Sequence, residues 1–126
     1  MKPLKALRIK IKIGNMIESP ALHVLLSDED DVIVARCLDF TVSSHGEDDT
    51  DALKSLAKSI KEYILTSIED GNLNNIYDHA HNKYWRTFNE LESRQETINF
   101  ISSLQESALM NTYQQFQHIP AKVCYA

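Results

Sequence analysis

Leu7, Ile9, Ile11 and Ile13 alternate with Arg8, Lys10 and Lys12. A period of two marks a strand, here over 7–13, with one buried face and one basic face. Leu22 to Leu26 form a second short strand. Val32 to Leu38 make a largely apolar, β-branched run, which Asp39 interrupts before Phe40, Thr41 and Val42 resume it. That pattern predicts one strand over 32–42, with a bend or bulge near Leu38 and Asp39. Asn15 to Pro20 connect the first two strands, and Ser27 to Asp31 give an acidic hairpin tip between the second and third.

The apolar spacing then changes to three and four, with Leu53, Leu56, Ala57, Ile60, Ile64 and Ile68 on one face. This predicts an amphipathic helix over 49–70. Asp48 can cap it, Asp51 stands where a capping box places its Glu, and Gly71 can end it in the left-handed region. Past a polar joint at Asn72, Asn74 and Asn75, the residues Ile76, Tyr77, Ala80, Tyr84, Phe88 and Leu91 predict a second helix over 76–92. Ser93 and Glu96 read as a further capping box. A third helix would carry Ile98, Ile101, Leu104, Ala108 and Leu109, running on through Tyr113 and Phe116. The closing stretch 119–125 could add a final strand, which Pro120 restricts to an edge or a start. The expected fold class is α+β: a three-stranded antiparallel meander with one covering helix, β-β-β-α, over residues 1–71. A helical C-terminal extension follows over 72–126.

Composition narrows the function classes. The chain has 126 residues, a net charge of −5, 43% hydrophobic and 25% charged residues, as in an ordinary globular protein. Net acidity argues against broad nucleic-acid binding and against docking on anionic membranes. No secretory leader pattern and no membrane-spanning run is read from the sequence, so a cytoplasmic, thiol-reduced setting is expected. Of the two cysteines, Cys37 lies in an apolar strand and reads as a buried free thiol.

Candidate chemistry is sparse. His79 and His81 flank Ala80, with Asp78 before them, but a helical zinc pair needs spacing of three or four. The acidic run Asp28 to Asp31 lacks the alternating ligands and central glycine of a calcium loop. Cys37, Asp39 and His45 are the residue types of a nucleophile set, with nothing in the sequence that makes them converge. No catalytic residue, metal ligand or cofactor is expected. The tail carries more large apolar residues than one covered sheet needs. Trp85, Phe88, Phe100 and Leu104 are therefore the expected surface of a homo-oligomer.

The run VIVARCLDFTVSSHGEDDTDALKSLAKSIKEYI resembles the HicB-like antitoxin superfamily over roughly residues 5–71. Ala35 and Cys37 match its A-x-C element, Gly46 its glycine, and Asp51, Ala52, Leu53 and Leu56 its helix signature. Leu38 stands where that family usually has proline, and Asp48 where it has threonine or serine. The resemblance implies a β-β-β-α-β core similar to part of the ribonuclease H fold but without its catalytic acids. It also implies oligomers and a small basic RNA-cleaving toxin as partner. Many relatives carry a C-terminal DNA-binding module. Here residues 72–126 read as helices with mixed charge, so DNA binding is not expected to carry over. The expected function is a non-catalytic protein-binding module, an antitoxin or an orphan relative. The alternative is a small ligand- or nucleic-acid-binding protein that uses the basic face of the first strand and the tail aromatics.

Overall fold

A computed structural model describes residues 1–110 and 113–126, with the side chains at 108–114 left aside. The elements are β1 (Lys2–Ile9), β2 (Lys12–Ile13), β3 (Ile17–Glu18), β4 (Leu22–Glu29), β5 (Val32–Cys37), β6 (Val42–Gly46), α1 (Asp49–Glu69), α2 (Asn82–Met110) and α3 (Tyr113–Gln117). The fold is mixed α+β. Its main sheet has four antiparallel strands in the order β1-β4-β5-β6, and β2 and β3 form a separate two-stranded ribbon. Among the described residues, no helix is long and apolar enough to cross a membrane.

The chain divides into two compact units, Met1–Glu92 and Ser93–Ala126. In the first, β4 is buried on both faces. Leu22, Val24 and Leu26 point to one side, where Ala35, Cys37 and the α1 residues Ala52, Leu56, Ile60 and Ile64 complete the main core. Leu25 points to the other side and packs with Leu38 and Phe88 in a second core, flanked by Ala6, Tyr84, Trp85 and Leu91. The opening turns of α2 therefore cover the face that α1 leaves open. This moves the expected division at residue 71, because Phe88 belongs to the core of the first unit.

Helix α1 begins and ends as its sequence predicts. Asp48 accepts the Asp51 N–H at 2.8 Å, and the Asp51 carboxylate accepts the Glu47 N–H at 3.0 Å. At the other end Gly71 has φ +66°, its N–H donates to Ile68 O, and the Asn72 N–H donates to Ser67 O. That pair of bonds is a Schellman closure.

Four expectations need correction. The strand expected over 7–13 is broken: β1 runs from Lys2 to Ile9, and Lys12–Ile13 pair instead with Ile17–Glu18. Ser19 causes the break, since its Oγ accepts the Ile11 N–H at 2.8 Å while its own N–H donates to Ile11 O. The strand expected over 32–42 is two strands joined by a full reversal at 38–41, so the sheet has four strands and not three. Thr41 makes the reversal with φ +53°. The helices expected over 76–92 and beyond Ser93 are one helix, Asn82–Met110, preceded by a 3-10 turn at Leu73–Asn75 and a non-helical stretch. Ser93 is interior to it: its carbonyl accepts the Thr97 hydroxyl at 2.8 Å, and no Gly or Pro interrupts the run. The final edge strand is absent among the described residues, since 120–126 have no regular structure. The expected contributions of Ala108, Leu109 and Tyr113 to a helix face lie outside the side chains described.

Candidate functional site

The residues singled out in the sequence fall into three places. The first is a polar knot under the β5–β6 reversal. Asp39, 6% exposed, accepts the His23 N–H through Oδ1 at 2.7 Å, and its Oδ2 lies 3.1 Å from His23 Nδ1. The Leu38 N–H donates to His23 O. The backbone carbonyls of Leu38 and Asp39 accept the N–H groups of Ala80 and Asp78, and the Thr41 hydroxyl donates to the Asp78 carbonyl. Asp39 therefore fastens the reversal to β4 and to the segment that leads into α2. Cys37 Sγ is 4.0 Å from Asp39 Oδ1, and burial pushes its thiol up to about 11. A thiol held neutral at physiological pH is a weak nucleophile, because the thiolate is the reactive form. His45 sits away from this knot, in β6 opposite Val34. The structure therefore joins Cys37 and Asp39 to His23, a residue the sequence pattern did not single out, and leaves His45 apart.

Aromatic rings surround the knot. His23 lies 5.0 Å from the Trp85 ring and 5.3 Å from Phe88, and His79 lies 5.6 Å from Trp85 on a non-helical stretch. The buried Trp85 Nε1 has no hydrogen-bond partner, so packing holds the indole. His81 Nδ1 accepts the Lys83 N–H at 3.0 Å and helps to start α2. Arg8 clamps this helix to β1 through two bonds to Glu92, at 2.7 and 2.8 Å, which hold the Glu92 carboxyl below its ordinary range. Among the described residues, no group of three or more His, Cys, Asp or Glu could hold a metal ion.

The second place is a cleft of about 260 Å³ between Arg36, Val42 and Ser43 on the sheet and Ala80, His81 and Tyr84 beyond it. Arg36 is already committed. It bonds Glu29 at 2.6 and 3.3 Å and stacks 4.8 Å from the Tyr84 ring centre. That hydrogen bond holds the Glu29 carboxyl below its ordinary range. A cation paired in this way orders the cleft wall.

The third place is the α2 surface. Phe88 is fully buried and Trp85 half-buried, both within the first unit, so Phe88 is removed from the expected oligomer surface. In the second unit Phe100 is 65% exposed and Leu104 54%, with Ile98 and Ile101 exposed beside them. At roughly 100° per residue these four span an arc of about 160°.

The register also gathers acids that the sequence scatters. Ile33 pairs with Gly46, so the β4–β5 turn and the start of α1 share one end of the sheet. Asp30 and Asp31 occupy the turn with φ +55° and +66°, both exposed, and Glu47 and Asp48 are exposed nearby in the chain that leads into α1. The two positive φ values are those a two-residue turn of type I′ requires.

The chain matches no family model, no curated protein and no solved structure.

Proposed function

We propose that this protein is a non-catalytic protein-binding module of the HicB-like antitoxin kind, and that it works as a homo-oligomer. The observation that carries the reading is the exposed arc of Ile98, Phe100, Ile101 and Leu104. Large apolar side chains grouped on one helix face mark an interaction surface. A copy of the same chain is the commonest partner for such a face. The acids at one end of the sheet, together with the net charge of −5, suit a small basic protein as the second partner. The neutral Cys37 thiol and the committed Arg36 support a role without catalysis.

Light scattering at micromolar concentration tests the self-association. The expected mass exceeds one chain of 14.4 kDa. A mass of one chain, unchanged on tenfold concentration, defeats it. Mixing with a small basic protein then reports the second partner as a further rise in mass that high salt reverses.

A further inference from the structure

Lysines from two distant parts of the sequence meet around one hollow. Lys10 and Lys12 come from the break between β1 and β2 and from β2 itself, whereas Lys58 and Lys61 come from α1. Together they line a depression of about 320 Å³ whose remaining wall is Ile11, Ile13 and Ala57. All four are exposed. Lys10 lies 3.8 Å from Glu18, a loose pair with both side chains more than half exposed. Lys12, Lys58 and Lys61 make no ion pair among the described residues. The chain as a whole is acidic, with 18 Asp and Glu against 13 Lys and Arg, so four cations around one hollow run against the average charge.

The break in the first strand creates this arrangement. Arg8, on the strand, faces the other side of the sheet and pairs with Glu92. Ser19 turns the chain at Ile11, and the ribbon carries Lys10 and Lys12 to α1. An uninterrupted strand would have kept all three cations in one solvated row.

We propose that this hollow binds a phosphate-bearing anion. Several like charges brought together repel one another, and a multivalent anion relieves that repulsion at each of them. Ammonium groups suit phosphate because they act as compact point charges and need no planar, two-point geometry. Carboxylates of an acidic protein could also pair with lysine. Four ammonium groups around one small depression suit a short phosphate chain better than a broad protein face. The phosphate has two sources, a free polyphosphate chain or the backbone of a single-stranded nucleic acid. The hollow shares no residue with the α2 surface of the protein-binding reading, and neither reading depends on the other.

Calorimetry on the full chain at 50 mM salt tests the proposal, with sodium tripolyphosphate and a twelve-residue oligothymidylate as probes. At least one probe should bind saturably at one site. K58E/K61E and K10E/K12E should each weaken that binding tenfold or more. K2E/K83E, two first-unit lysines that do not line the hollow, changes the net charge equally and should weaken it less than threefold. If the oligonucleotide is the ligand and four phosphates are neutralised, the salt slope is about −2.8, so fourfold more salt weakens binding about 50-fold. Tripolyphosphate binding alone assigns a free phosphate chain, and oligonucleotide binding alone assigns a backbone. Unchanged urea midpoints, read from Trp85 fluorescence, show that the variants fold. No saturation with either probe overturns the proposal. Equal weakening by K2E/K83E overturns it too, as does equally tight binding of polyglutamate.

Discussion

Phe88→Ala should destabilise the first unit by about 3–5 kcal/mol, the usual cost of removing a buried Phe. The structure places it at the upper part of that range. Phe88 is 0% exposed and enclosed by Leu25 and Leu38, each also 0% exposed. A well-packed apolar site of this kind cannot collapse fully, so the cavity adds to the lost transfer energy. The edge-on contact with His23, 5.3 Å between centroids at 72°, adds about 0.5–1.5 kcal/mol. Trp85 is the one tryptophan in the sequence and its ring centroid lies 6.4 Å from that of Phe88, so its fluorescence reports the damage directly. Urea unfolding followed at Trp85 should show a lower midpoint with little change in slope, and Tm should fall by roughly 15–40 °C. Leu56→Ala, on the opposite face of the sheet, should cost about 2–5 kcal/mol by the same reasoning. A Phe88→Ala cost below about 1 kcal/mol would refute the claim that the start of α2 closes the second core.

Gly46→Ala should destabilise by about 1–3 kcal/mol, because a Cβ there would meet the Ala52 backbone nitrogen and lie 2.7 Å from the Asp51 backbone carbon. Gly71→Ala meets open space and should cost only the left-handed conformation, about 1–2 kcal/mol; a larger thermal shift for Gly71→Ala than for Gly46→Ala would contradict this. In a thiol titration with an aromatic disulfide at pH 8, exposed Cys124 should react promptly and buried Cys37 only on unfolding. Burial raises the Cys37 thiol from about 9.0 to about 11. Its stabilising contribution is therefore fully present below about pH 9 and lost as pH rises through about 11. Cys37→Ala should remove that part of the alkaline stability loss, and an unaltered alkaline profile would contradict the assignment.

Helix α1 was legible in the sequence because its signals are local: Asp48, Asp51 and Gly71 each act within a few residues. The β5–β6 reversal was harder, because Asp39 acts through His23, sixteen positions away along the chain. A lone acid in a β-branched run fits a bulge as well as a turn, and only the partner decides. The break at Ile11 has the same origin, since Ser19 closes it from eight residues on. Ser93 and Glu96 imitate a helix start, but a capping box works only where the backbone before it leaves the helix, and nothing at 90–93 makes it leave. Phe88 and Phe100 share one periodic helix, and the pattern alone does not say where the covering sheet ends. The lysine hollow was hidden because its halves are separated by nearly fifty residues, from Lys12 to Lys58.

The most direct measurement is the mass of the wild-type chain and of Phe100→Glu, side by side, by light scattering at micromolar concentration. Phe100 is 65% exposed, so the substitution leaves the first unit alone, and Trp85 fluorescence should give the same urea midpoint for both. A wild-type mass of twice 14.4 kDa or more is expected, with a fall toward 14.4 kDa in Phe100→Glu and no fall in Lys10→Glu. A wild-type mass of 14.4 kDa that stays fixed over a tenfold rise in concentration would contradict it.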